Sequence, residues 1–428
     1  MTWTTQNKRL PGAYVNFKAR KEQKALVSGE GIPALMLQGQ TLAAPGFHTV
    51  AQGTDLAKLF GTTAKIAYVA EALAVASKVL VYVPASTGGT KATGTEGGLT
   101  VTAVKEGTEG NKLVVNIINN GPNMIVTTIL DNNQVDSQEV SASQLPSAND
   151  YVTFSGTLPS SGGSTTQITL SGGTDGSIDN SVDKFIAELS KQDFRVVAYG
   201  TDTADDKKKL VAAVKEWRSE GRAVVAVINN YAEANNEGVI SVDNGVTLAD
   251  GTKLTSKESI YRVAALSATA GSKSLTHAEY IGAIDCDAKT PQEIAQAIEK
   301  GNIVFRVFRG RVLIAQDVNT LVTPADGQND DFKKNKLVRT MDIIGEAIQA
   351  VFVENFVGQV VNDIDGRELF KQHLIVRVLD PLVSQSALTY SADDIKVTEG
   401  SQKEAILVTL GVKLADAMEK LYVTVEVK

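Results

Sequence analysis

Three histidines, one cysteine and two glycine-bearing acidic turns are the places where this chain could do chemistry, and spacing decides what each could do. His48, His277 and His373 are scattered, and Cys286 stands alone. A zinc site takes four nitrogen or sulfur ligands at short intervals, and no quartet here has such spacing. His277 precedes Ala278-Glu279, so the HExxH helix face of a zinc peptidase is missing. A serine hydrolase requires a nucleophile, a base and an orienting acid. No GxSxG elbow occurs, and no subtilisin-order set assembles around His277. The segment GGTDG at 172–176 precedes a helix, as a phosphate loop would, but GxxxxGK[ST] and GxGxxG are both absent. The segment DIDG at 363–366 resembles part of a calcium loop, yet its register puts Val361 and Gln372 at the first and twelfth ligand positions. The residues therefore predict no catalytic set, no cofactor and no metal.

Bulk composition narrows the class further. At 428 residues the chain exceeds one typical core, which predicts two to four domains. Hydrophobic residues make up 43% and charged residues 21%, the balance of a soluble globular protein. A net charge of -7 argues against nucleic-acid binding. No apolar run approaches the length of a membrane span, and the first residues lack the apolar core of a secretory signal. One cysteine excludes an intrachain disulfide and fits folding in a reducing cytoplasm.

Residues 20–85 read as α/β, with strands over 31–38 and 78–83 and helices over 55–60 and 64–77. A Gly, Thr and Ser linker over 86–98 leads into short strand candidates at 99–104, 112–118, 124–130, 135–140, 151–154 and 167–170. Turn residues separate them, the pattern of a small β-sandwich. From 178 the pattern alternates. Helices are expected at 178–191, 204–220, 256–270 and 291–300, and strands at 194–199, 222–228 and 279–284. A hairpin, 303–308 with 311–316, turns about Arg309-Gly310. This predicts an α/β domain with a parallel or mixed sheet. After a loop at 322–330 come helices over 331–357 and 366–379 and strands over 393–399, 405–414 and 421–427.

Both ends alternate with period two. Val15 and Phe17 oppose Tyr14 after the Pro11-Gly12 turn, and Leu421, Val423, Val425 and Val427 oppose Tyr422 and Thr424. Such strands require a sheet, in the same subunit or in a neighbour. Lys333, Lys334, Lys336 and Arg339 open the long helix, against its macrodipole. They form either a solvated face or a docking surface for an acidic partner.

Five segments, in order, resemble those of contractile phage tail sheath proteins from Gram-positive phages, prophages and phage-tail-like bacteriocins. They are LPGAYVNF at 10–17, GGTDG at 172–176, VNTL at 318–321, the helix at 331–358 and DAMEKLYVTV at 416–425. The resemblance runs from residue 10 to 425 and is least distinctive over 86–171.

The resemblance implies an α/β multidomain fold. A core α+β domain is built from both chain ends, with an inserted β-sandwich and a subtilisin-like α/β domain without a catalytic triad. The expected parts are an N-terminal arm (1–20), an N-terminal part of the core and α/β region (21–90), the β-sandwich (91–171), the subtilisin-like domain (172–322), the C-terminal core (323–413) and a C-terminal arm strand (414–428). It implies a non-enzymatic subunit that polymerises helically around an inner tube and contracts to drive that tube through a target envelope. Tyr14, Val15, Phe17, Leu421, Tyr422, Val423, Val425 and Val427 are the expected intersubunit arm strands. Lys333, Lys334, Lys336 and Arg339 are the expected tube-facing cations, and Pro11, Gly12, Gly400 and Gly411 the expected hinges. Implied partners are further copies of the chain, the tube protein, baseplate and tail terminator proteins, with neither nucleic acid nor membrane. The implied location is a virion or tail-like particle, made in the host bacterial cytoplasm. Two alternatives stand beside this reading. One is a degenerate α/β hydrolase or nucleotide-binding enzyme near His277 or residues 172–176. The other is a different virion component, such as a fibre or adhesin.

Overall fold

The computed structural model describes residues 31–62, 65–159 and 165–427. The expected arm residues Tyr14, Val15 and Phe17 and the Pro11-Gly12 hinge lie outside these residues.

A seven-stranded sheet forms the body. In chain order its strands are β1 (Pro33–Met36), β2 (Gly46–Ala51), β3 (Lys78–Val83), β4 (Val196–Tyr199), β5 (Val225–Asn229), β6 (Val239–Val242) and β7 (Asn302–Ile303). They lie side by side as β7-β6-β5-β4-β1-β3-β2. All pairs are parallel except β2 with β3. The strands read PALM, KVLVYV, VVAY and VAVIN, nearly continuous apolar runs, because a parallel sheet is covered on both faces. Val79, Val81, Val196, Val227 and Ile240 pack against helices Ile66–Leu73 and Ser256–Thr269. Leu80, Tyr82, Val197, Ala226 and Ile228 pack against Val182–Leu189 and Ala204–Ser219.

Residues 33–83 therefore join the sheet that continues at 196. Strands as apolar on both faces as β1 and β3 are stable only in the interior of a covered sheet. The switch in strand order beside β1 is where a doubly wound sheet opens a ligand crevice. Here it is filled. Gln38 Nε2 donates to the Gly200 carbonyl at 3.2 Å, and Tyr261 is buried against the same turn. A Cβ at position 200 would lie 2.5 Å from the Lys257 carbonyl oxygen.

Residues 91–159 and 165–169 form two antiparallel sheets packed face to face. One sheet has three strands (Lys91–Glu96, Leu99–Glu106, Val152–Gly156). The other has four (Leu113–Asn120, Asn123–Leu130, Asn133–Ser141, Thr166–Thr169). Leu99, Val101 and Ala103 alternate inward onto Leu113, Val115 and Ile117. Asp131 and Asn132 both take positive φ, 47° and 66°, as a two-residue primed hairpin turn requires.

The C-terminal module has its own core. Helices Asn335–Asn355 and Ile364–Leu374 and the turns through Ser384 pack on a hairpin of Leu388–Glu399 and Ile406–Leu414. The first of these strands starts five residues earlier than the sequence pattern predicts. A register shift between Tyr390 and Ile395 hides the alternation there. Gly411, an expected hinge, lies in the strand opposite this bulge, with Asp394 2.7 Å from where its Cβ would be. Gly400 sits in the hairpin turn, its N–H bonded to the Ala405 carbonyl at 2.8 Å. Both glycines serve local strand geometry. The stretch 421–427, expected as a strand, pairs with nothing among the described residues and is exposed throughout.

Replacing Gly200 by Val should lower the urea midpoint of unfolding by the equivalent of about 1–3 kcal/mol, the usual cost of overpacking. An unchanged midpoint would show that the turn after β4 has room for a ligand.

Candidate functional site

Four segments converge where the chain leaves the body for its last residues: 271–276, 315–320, 334–340 and 415–419. At their centre Asp317 is 1% exposed. Its carboxylate accepts from Arg339 at 2.6 Å, from Asn335 at 2.9 Å and from the Leu275 N–H at 2.9 Å. Arg339 also donates to the carbonyls of Gly271 and Lys273. A buried acid is tolerable only when paired and hydrogen-bonded, and here it is both.

The C-terminal segment is gripped one layer further out. Glu419 accepts from Thr276 Oγ1 at 2.7 Å, Gln316 Nε2 at 2.8 Å and Lys334 Nζ at 2.7 Å. Lys334 also reaches Asp416 at 2.6 Å, and Lys336 donates to the Ala415 carbonyl. Burial pushes the Glu419 carboxyl upward, but hydrogen bonds from Lys334, Thr276 and Gln316 outweigh it and hold the group below its usual range. Burial pulls Lys334 downward, and its bonds to Asp416 and Glu419 more than reverse that. Lys336 is lowered, chiefly by burial. Beyond Glu419 no hydrogen bond or ion pair holds the chain among the described residues, and Leu421, Tyr422, Val423, Val425 and Val427 are all more than two-thirds exposed.

This geometry corrects the picture of an open cationic face. Arg339 points into the body and Lys336 onto the Ala415 carbonyl of the C-terminal segment, and both are buried, because positions 335, 336, 339 and 340 share the packed helix face. Lys334 is bound to two acids of the same chain. Lys333, nearest the surface, pairs with Asp330 at 2.8 Å. Sequence reading missed the partners Thr276, Gln316, Asp317, Asp416 and Glu419. The one available signal was an acid, Asp317, closing the apolar run that precedes VNTL. That motif caps the same junction: Asn319 donates to the Phe332 carbonyl and Thr320 to that of Asn236.

The other chemical candidates are apart and engaged. His48 contacts the Ala44 carbonyl at 2.6 Å, His277 contacts Arg306 at 2.7 Å, and His373 lies against Phe356. Cys286 is a half-buried thiol, raised mainly by burial. The GGTDG segment ties the sandwich to the body, whose Gln40 Nε2 donates to the Gly176 carbonyl at 2.8 Å. Asp175 accepts from the backbone and hydroxyl of Thr108, and the Gly173 N–H is bound to Asn111. Asp363 caps helix Ile364–Leu374 through the Gly366 N–H. Among the described residues no three His, Cys, Asp or Glu side chains are placed to hold a metal ion.

A parallel-sheet body, a stapled sandwich and a C-terminal module whose terminal segment is clamped at its root make a protein of several modules. Two family descriptions match it: the phage tail sheath protein central domain over residues 174–320, and the phage tail sheath C-terminal domain over 327–428. The chain is 32% identical to the phage-like element PBSX protein XkdK of Bacillus subtilis strain 168, over 100% of this chain and 99% of that one. A crystal structure of a sheath tail protein from Desulfitobacterium hafniense is 31% identical, with a TM-score of 0.81 over 97% of this chain and 100% of that one. The contracted helical sheath of the anti-feeding prophage is 11% identical with a TM-score of 0.56, covering 98% and 99%, and shares the fold. The chain belongs to the phage tail sheath family. It is a structural subunit of a phage tail sheath, part of a virion or tail-like particle.

The lowered Glu419 group stabilises the clamp above its unfolded pKa of about 4.3, and that contribution is lost as pH falls through its folded value. The raised Lys334 group acts oppositely, contributing fully below about 10.4 and losing its effect as pH rises through its folded value. Amide protection at 415–419, measured against the intrinsic exchange rate at each pH, should therefore be high at neutral pH and fall as the pH drops through the folded value of Glu419. In Glu419→Gln exchange should be some tenfold or more faster at pH 7, as loss of a charged hydrogen bond worth about 1.5–3 kcal/mol implies, and the acid step should disappear.

Proposed function

We propose that residues 420–427 form an arm that adds a strand to a neighbouring subunit and stitches the sheath together. The observation that carries this reading is the abrupt rise in exposure after Glu419, before an alternating apolar segment that has no strand partner among the described residues. The hairpin Leu388–Glu399 with Ile406–Leu414 is a two-stranded sheet. Its outer edges are unpaired among the described residues and offer main-chain groups to an arriving strand. Residues 10–18 of the N-terminal arm would join the same sheet from another copy. The clamp moves the C-terminal hinge to Lys420, away from Gly400 and Gly411.

The sheath acts mechanically, by exchanging one set of intersubunit contacts for another, and the chain carries no catalytic activity. The filled crevice beside Gly200 supports this. The α/β body corresponds to a subtilisin-like domain without a triad. The boundaries near residues 90, 171, 322 and 413 separate the modules, with 414–419 serving as the fixed root of the arm. The inner tube, baseplate and terminator proteins are its partners, and the host cytoplasm is its site of synthesis. Since Lys334, Lys336 and Arg339 are held within the chain, and Lys333 pairs, among the described residues, only with the exposed Asp330 of its own helix start, a tube-facing role among the four cations rests on Lys333.

Removing residues 420–428 should leave a monomer with unchanged circular dichroism and no helical cylinders by negative-stain microscopy. Normal cylinders from the truncated chain would refute the stitching role.

A further inference from the structure

We propose that the hairpin Phe305–Phe308 with Arg311–Ile314 is a docking knob that seats on the opposite end of the body of the next copy of this chain. The inference rests on sheath self-assembly and concerns a contact separate from the arms.

The knob carries an unusual surface. Residues 304–314 contain Arg306, Arg309 and Arg311 and no acid, on a chain of net charge -7. Phe308 is 43% exposed, with the guanidinium of Arg306 5.6 Å and that of Arg309 5.4 Å from its ring centre. Val307, and Ile281 and Ile284 on the adjoining segment, are exposed as well. Arg311 is paired with Glu279 at 3.3 Å, Arg306 meets His277, and Arg306 Nε is buried without a partner. An exposed aromatic flanked by arginines is the composition of an interface centre rather than of open surface.

The matching surface lies at the other end of the sheet. Residues 322–332 contain Asp326, Asp330 and Asp331 and no Lys or Arg. Beside this loop is a groove of about 380 Å³ lined by Ile298, Glu299, Val318, Leu321, Val322 and Asp330. Val322 is 41% exposed there. Lys333 and Lys334 also reach the groove, but their ammonium groups are bound to Asp330 and to Asp416 and Glu419.

Strand direction separates the two surfaces. β7 is parallel to β6, so the chain leaves Ile303 at the carboxyl end of the sheet, and the knob lies beyond that end. The chain then runs back. Ala315 N–H donates to the Val304 carbonyl and Thr320 N–H to that of Val239, the first residue of β6. The acidic loop thus begins beyond the amino end. One molecule cannot bring the two together, and two copies joined head to tail can. A heterologous contact of this kind propagates into an open helix instead of closing on itself.

The test uses the full-length chain. Photocrosslinking from Phe308→p-benzoylphenylalanine in assembled sheath should map to residues 298–331 of a second copy. Arg309→Glu should raise the protein concentration required for assembly by about tenfold, as charge reversal at an interface does, with the monomer's circular dichroism unchanged. Adding Asp330→Arg to it should restore assembly. Sheaths that form with Phe308 uncrosslinked or crosslinked elsewhere, or a double variant no better than Arg309→Glu, would overturn the knob while leaving the sheath reading intact. Failure of the unmodified chain to polymerise would overturn both.

Discussion

Two carboxylates, Asp317 and Glu419, are gripped by cations from the start of one helix, and the rest of the molecule is arranged around that grip. Cations in a first turn oppose the helix macrodipole by roughly 0.3–1 kcal/mol. Leaving a buried acid such as Asp317 unpaired costs about 3–5 kcal/mol. Pairing the acid outweighs the dipole, so Lys334, Lys336 and Arg339 sit where helix physics alone would place acids. Through them the long helix holds the α/β body on one side and the departing chain on the other. A second ion pair, Arg218 with Asp342 at 2.9 Å, continues the same seam along the helix.

Within each module the interior is apolar, and most contacts between modules are polar and directional, with Leu42 of the body also buried in the sandwich core. The sandwich meets the body through Glu109, which accepts from the Thr62 backbone at 2.6 Å, and through Tyr151, whose hydroxyl donates to the Lys58 carbonyl. The C-terminal module meets it through the clamp. Polar joints of this kind fix orientation without merging cores. A sheath subunit must keep its modules intact while its neighbours shift, and this division of interactions suits that demand. The segment beyond Glu419 has the opposite character: it carries exposed apolar side chains and pairs with no strand among the described residues, and under the proposed strand addition it would be completed on another subunit.

What the sequence reveals follows from the range of the interactions. Apolar runs such as VVAY and KVLVYV announce buried strands, and LTVTAV announces a half-buried one, because each pattern is local. The strands Gly46–Ala51 and Val239–Val242 escape notice: the first mixes exposed and buried positions, and the second is four residues long. The cluster of cations at 333–339 is legible, but its role is not, since Lys334 and Glu419 are 85 residues apart and the contact exists only after folding. Gly411 looks like a hinge until the bulge across from it is known. The alternation of 421–427 is plain, but the pattern alone does not say which strand it joins, and among the described residues it joins none.

The most direct test of this account is hydrogen–deuterium exchange across residues 415–427, measured in the free subunit and in assembled sheath. Residues 415–419 should be protected in both, and 420–427 should exchange freely in the subunit and become protected in the sheath. Rapid exchange at 420–427 in intact sheath would contradict strand addition by the C-terminal arm.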